Sequence, residues 1–295
     1  MLDRLAPLAF VLIWSSSFIG TRAGLRHMSP LLFVAVRMAL CASVLVAVMV
    51  WQRRSWRVLA RSWPHCAIAG VLMQGMLLMT AHYAMTHVAA APIALIQTLN
   101  PLLTAVLAWP LLGERLRPRQ WLGLLLGTAG VVLVAGLAAM HSQSEFSGLM
   151  LTTAGVICLC AGTVYFGRFC RGVPPLEGTT VQFIACAVVC SAAVPLFEHP
   201  YIDGSMVALA CIGWNAIVVS LGGMALYFLM LRRGSAARAS ASFYLVPGTA
   251  GVMAWVLLGE RLSPLTVAGL VVSSIGCRLI SNAPSEPRAA GSRPG

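Results

Sequence analysis

The chain has 295 residues, of which 59% are hydrophobic and only 9% charged, and its mean hydropathy is +0.86. A soluble domain carries roughly a quarter charged residues, so this composition cannot cover a water-facing surface and points to a lipid bilayer as solvent. The net charge is +12 and all 20 basic residues are arginine; they sit in short gaps between apolar runs, not on one solvated face, which argues against nucleic acid as a partner.

In chain order, apolar segments of spanning length, about 17–25 residues, are predicted at Leu5–Gly24, Pro30–Trp51, Pro64–Met85, Val88–Leu112, Gln120–Met140, Gly148–Phe169, Thr179–Phe197, Ser205–Leu231, Ala236–Leu258 and Pro264–Ile280. The expected fold is therefore an all-α integral membrane protein with ten transmembrane helices. No gap between spans is long enough for a soluble domain, and the Pro/Ser/Gly-rich residues 283–295 read as a disordered tail. The first apolar run continues through Trp14 to Gly24 without a small-residue cleavage site, so it is expected to stay as a span.

Arginine placement predicts orientation. With the N-terminus cytoplasmic, Arg4, Arg53, Arg54, Arg57, Arg61, Arg115, Arg117, Arg119, Arg168, Arg171, Arg232, Arg233, Arg238, Arg278, Arg288 and Arg293 fall inside. Only Arg22, Arg26 and Arg261 fall outside, and Arg37 lies within the second span. Both termini are expected in the cytoplasm.

The hexapeptide "LLGERL" occurs at 111–116 and again at 257–262, and the match extends without gaps at a constant shift of 146. Pro101 falls on Pro247, Trp109 on Trp255, Pro118 on Pro264, Gly123 on Gly269 and Gly130 on Gly276. Prolines and glycines in register mark kinks and close contacts, not generic apolar filler. Two repeats follow, residues 1–140 and 146–282, each with five spans. An odd number of spans turns the second repeat upside down in the membrane, and inverted repeats of this kind recur in secondary transporters with the substrate site near the midplane.

The opening "FVLIWSSSFIGTRAGL", the second-span "PLLFVAVRM" and the paired "NPLLTAVLAWPLLGERL" and "VPGTAGVMAWVLLGERL" resemble the drug/metabolite transporter superfamily, and within it the EamA-type ten-helix members. The resemblance runs to about Ile280 and implies an inner-membrane carrier that exports amino acids or related small metabolites by alternating access. It leaves open uptake or export of another small metabolite or drug-like compound, as a monomer or homodimer.

Candidate pathway residues follow from polarity inside apolar spans. Arg37 is the only charged residue deep in one, about 10 Å along a helix from Pro30. It either attracts the carboxylate of a substrate or bonds a neighbouring helix. Pro101 and Pro247 are expected to kink their helices and free carbonyls beside protein or water. Gln97, Asn100 and Tyr244 flank those kinks and lead the list, followed by Trp14, Ser17 and Tyr83, then Asn215 and Tyr227; each could instead supply an interhelical hydrogen bond worth about 1 kcal/mol. Gly123, Gly127 and Gly130 align with Gly269, Ser273 and Gly276 and are expected to pack two symmetry-related helices together.

All eight acids lie at span ends, in loops or in the tail. Small multidrug relatives in the resembled superfamily use a mid-membrane Glu, so proton/cationic-drug antiport of that kind is not expected. The Gly-Glu-Arg clusters should instead end helices. Without lysine there is no Walker A or Schiff-base lysine, and HExxH and GxSxG are absent, so an enzyme is not expected. The nine cysteines form no CxxC and read as small buried apolar residues. No metal or cofactor is implied; the expected partners are the lipid bilayer and a small-molecule substrate.

Overall fold

A computed structural model describes residues 2–56, 62–97, 99–100, 142–170, 172–233 and 245–260, with scattered helical positions at 103–133 and 264–275. The described residues are helical throughout apart from turns and one isolated bridge. The helices are α1 (Leu2–Gly24), α2 (Pro30–Trp51), α3 (Trp63–Ala84), α4 (Ala90–Gln97), α5 (Gln143–Phe169), α6 (Pro175–Phe197), α7 (206–233) and α8 (Val246–Leu258). Five of them, at Pro30–Trp51, Trp63–Ala84, Gln143–Phe169, Pro175–Phe197 and Met206–Leu226, are long and apolar enough to cross a membrane.

Local sequence explains the boundaries. Prolines at the first turns of α2 and α6 need no amide hydrogen bond there. Ser142 and Ser205 accept from the amides of Ser144 and Ala208, at 3.2 Å in each case, and so cap α5 and α7. Helix α8 stops at Gly259, whose φ of 68° is the left-handed conformation that glycine adopts without strain. The second LLGERL therefore ends its helix as its Gly-Glu-Arg pattern suggests; the first copy lies outside the described residues. Pro247 occupies the first turn of the described α8, where proline is tolerated, and residues 236–244 on the other side of the expected kink lie outside the described residues.

Two helices contain a widened π turn: Val71–Met76 in α3 and Trp214–Gly223 in α7. The shift of 146 carries 71–76 onto 217–222, inside the second segment.

Helix α2 packs along α6, α3 along α5 and α6, and α1 along α7 and α8, with α4 against α5 and α8. Small residues set the closest approaches. A methyl group added at Gly155 would overlap Thr80 Oγ1, and one added at Gly162 would lie 2.7 Å from Met73 Cγ, so α5 can approach α3 only through these glycines. Gly123, Gly130 and Gly269 are buried, whereas Gly127, Ser273 and Gly276 lie outside the described residues.

The two ends of the bundle are joined differently. At one, the 25–29 turn pairs with the 198–205 loop. Ser29 N donates to Tyr201 O and Asp203 N to His27 O, each at 3.0 Å, and Met28 and Ile202 form an antiparallel bridge. Glu198 accepts from the amides of Leu31 and Leu32 at 3.1 and 2.8 Å, capping α2 from across the bundle. Glu260 lies 3.4 Å from Arg22 and accepts from Ala90 N at 3.1 Å, capping α4. His27 Nδ1 and Asp203 Oδ2 are 2.5 Å apart, and this hydrogen bond, then the Ser205 amide, holds the Asp203 carboxyl down to about 2. At the other end, Arg54 and Glu177 approach only to 3.9 Å, His65 Nδ1 lies 2.7 Å from the Tyr165 hydroxyl, and Cys66 and Cys170 thiols are 3.8 Å apart.

Candidate functional site

The polar interior is organised around Arg37 and Asn215. Arg37 lies on α2, where every neighbouring position is apolar, and is only 5% exposed; Asn215 on α7 is fully buried. Arg37 Nη1 donates to Asn215 Oδ1 at 3.1 Å and Arg37 Nε to Ser220 Oγ at 3.0 Å. Ser17 on α1 donates to the same Asn215 Oδ1 at 2.8 Å, and Asn215 Nδ2 donates back to the Cys211 carbonyl at 3.0 Å. Three helices thus converge on one amide. The grip is close: a methyl group at Gly20 on α1 would lie 2.7 Å from Asn215 Nδ2.

The π turn makes this convergence possible. At about 100° per residue, positions five apart on an α-helix point about 140° away from each other. A π turn bonds residue i to i+5 and stacks such positions one above the other. Asn215 and Ser220, five apart within the π segment, therefore both reach Arg37.

A second layer of polar contacts surrounds the hub. Thr21 Oγ1 and His82 Nε2 are 3.3 Å apart, both buried, and the His82 ring packs beside Phe33 with centroids 5.5 Å apart. Trp214 Nε1 donates to Ser16 Oγ at 2.8 Å, and Ser15 Oγ donates to the Val246 carbonyl at the start of α8 at 3.1 Å. Trp14 packs against Phe10 and lies beside Gly223 of the π segment. No carboxylate takes part. The ion pairs among the described residues are Arg22–Glu260, His27–Asp203 and Arg54–Glu177, all at the ends of the bundle. Among the described residues there is also no group of three His, Cys, Asp or Glu side chains able to hold a metal ion.

Of the residues singled out from sequence, Arg37, Asn215 and Ser17 come together, with Trp14 beside them. Asn100 does not join them: its Oδ1 accepts from Thr104 Oγ1 at 3.0 Å and lies 3.3 Å from the Cys160 thiol, so it serves the contact of the fourth span with α5. Gln97 ends α4, and Tyr83 is exposed beside His87 near the end of α3. Pro101, Tyr244 and the Tyr227 side chain lie outside the described residues. Ser220, Thr21 and Trp214 were not singled out. A serine or tryptophan in an apolar span carries no signal alone, although the shift of 146 places Ser220 on Gln74, the polar residue of the other π segment. Gln74 in turn donates to Gln182 of α6 at 3.4 Å.

This arrangement offers an anion a buried guanidinium, two hydroxyls and an amide, and it places no acid near a cation. The sequence matches the EamA-like transporter family over residues 5–136 and again over 146–282. Among curated proteins it is 27% identical to a probable terminal-alkyne amino-acid exporter of Streptantibioticus cattleyicolor, covering 97% of this chain and 95% of that one. It is 24% identical to a probable amino-acid metabolite efflux pump of Salmonella typhimurium, over 93% of both chains. It is 25% identical to an uncharacterized inner membrane transporter of Escherichia coli, over 92% of this chain and 88% of that one. A crystal structure with a TM-score of 0.68, 22% identical and covering 95% of this chain and 97% of that one, has the same fold.

Proposed function

Because this chain belongs to the EamA-like transporter family, we propose that it is a secondary carrier of the inner membrane that exports amino acids or related small metabolites by alternating access. The observation that carries the reading is the Arg37–Asn215 hub, a charged group held inside the bundle where α1 and α2 of the first repeat meet α7 of the second. Buried charge is expensive in a membrane protein and marks the path of a polar solute. The names of the relatives in Streptantibioticus and Salmonella support an amino-acid-like substrate.

Helix packing supports the inverted duplication. The shift of 146 relates α1 to α5, α2 to α6 and α3 to α7, and it exchanges the packing pairs α3–α5 and α7–α1, and α3–α6 and α7–α2. The mates run in opposite directions: the start of α2 meets Glu198 at the end of α6, and Arg54 beyond the end of α2 faces Glu177 at the start of α6. A substrate held between such halves reaches each side in turn as they rock past one another. With both termini cytoplasmic, the end joined by the 25–29 turn and the 198–205 loop faces outward.

The test is export from cells loaded with candidate metabolites, with and without the carrier, repeated in proteoliposomes. Faster loss of an amino acid or related metabolite from expressing cells is the expected result, and no carrier-dependent movement in either system overturns the proposal. Fusion of a reporter active only outside the cytoplasm should give no signal at the C-terminus.

A further inference from the structure

We propose that the carboxylate of the substrate replaces the Asn215 amide oxygen at Arg37, so that the carrier accepts amino acids and related carboxylates and rejects their amides. The inference rests on the export reading above and names the group recognised at that same site.

Asn215 Oδ1 receives two donors that converge from different helices, Ser17 Oγ at 2.8 Å and Arg37 Nη1 at 3.1 Å. That is the environment of a carboxylate oxygen, filled here by a neutral amide. An ionised acceptor forms shorter and stronger bonds to a guanidinium than an amide does, and a planar guanidinium can engage both carboxylate oxygens at once. Arg37 is the only buried arginine of the described residues, and none of their ion pairs includes it. A permanently charged group held inside the bundle against neutral partners alone carries an uncompensated desolvation cost. An arriving carboxylate supplies the missing charge, and the other charged groups at the bundle ends do not.

The stand-in acceptor also sits on a π segment, whose register can tighten. Asn215 and Ser220 reach Arg37 together only because 214–223 is a π turn. Displacing Asn215 removes one of the two bonds that favour the wider turn, and the segment can tighten toward α-helical register. Substrate binding on α2 is thereby coupled to the shape of α7, the helix that crosses to the other repeat.

The experiment uses the full-length carrier in proteoliposomes with a panel of neutral amino acids, each paired with its primary amide. The acids that move are expected to do so at least about tenfold faster than their amides, the factor that one lost charge-assisted contact gives. Asn215→Asp builds a carboxylate against Arg37; it should fold and melt no lower than the wild type while export falls by at least about tenfold. Asn215→Ala leaves Arg37 open and should lower the concentration of acid needed for half-maximal export. Equal movement of acids and amides by the wild type, or wild-type export by a folded Asn215→Asp protein, overturns the inference and leaves the export reading standing. Movement of neither acids nor amides overturns both. The comparison of acid with amide needs no variant, so a poorly folding substitution cannot blunt the test.

Discussion

The clasped end and the opposite end of the bundle are built from segments related by the same shift, yet they are held together by different chemistry. The 25–29 turn corresponds to 171–175, and the 198–203 loop corresponds to 52–57. At the clasped end Glu198 caps α2 with two short bonds, Glu260 caps α4 while facing Arg22, and the two loops exchange backbone hydrogen bonds. At the other end the register places Gln52 opposite Glu198 and Val173 opposite His27, so neither the carboxylate cap nor the His–Asp pair can be reproduced. Among the described residues, that end shows a long Arg54–Glu177 approach, a His65–Tyr165 hydrogen bond with His65 stacked on Phe169, and a pair of thiols. Among the described residues, the clasped end therefore carries the shorter and more numerous carboxylate contacts.

That contrast breaks first at Glu260. Glu260→Ala removes the partner of Arg22 and the cap of α4 together, in a site where Glu260 is only 14% exposed. A loss of about 2 kcal/mol is expected. Glu177→Ala at the opposite end removes a carboxylate that is itself buried in the first turn of α6 but has only a 3.9 Å approach to an arginine that is 54% exposed, and should cost about 1 kcal/mol. Thermal melting of the two variants in detergent decides the matter, and equal losses would remove the asymmetry. Glu198→Ala comes next, at about 1.5 kcal/mol for a lost helix cap, against a negligible effect of Gln52→Ala.

The asymmetry was only partly legible in the sequence. The helical class could be read directly from apolar length, and five of the expected spans reappear as helices long and apolar enough to cross a membrane. Arg37 stood out by its charge alone. Its partners did not, since Ser220 becomes a neighbour of Asn215 only through a π turn, and the usual helical period puts the two on different faces. Pro247 lies in the first turn of the described α8 and Pro101 lies outside the described residues, while the polar contacts that the structure shows gather around α1, α2 and α7. Glu198 could not be assigned to α2 from sequence, because a cap donated across 166 positions leaves no local pattern.

A smaller effect sharpens the comparison from the opposite end. Cys66 at the start of α3 and Cys170 at the end of α5 hold their thiols 3.8 Å apart, without a disulfide. If this is the end that opens readily, joining the two sulfurs should arrest transport without unfolding the protein. Treatment with copper–phenanthroline, which oxidises the two thiols and passes their electrons to oxygen, is expected to lower export; a reducing agent should restore it, and Cys66→Ser should be insensitive. Full export with the cross-link formed, verified by mass spectrometry, would show that the two helices need not separate there.

The smallest effect belongs to the hydrogen-bonded His27–Asp203 pair of the clasp, which is open to solvent. Asp203 is held down to about 2 by its hydrogen bonds with His27 and the Ser205 amide, whereas an unperturbed aspartate titrates at about 3.9. A carboxyl depressed in the folded state contributes stability above its unfolded value and loses it as the pH falls toward the folded one. Asp203→Asn should therefore melt slightly below the wild type at pH 7, with the gap closing as the pH is taken from about 4 to about 2. Solvent screening keeps the gap small, well under the effect of Glu260→Ala. A gap that stays constant across that range would mean that the Asp203 charge contributes nothing, leaving the backbone bonds of the 25–29 turn and the half-buried carboxylate caps to hold the clasp alone.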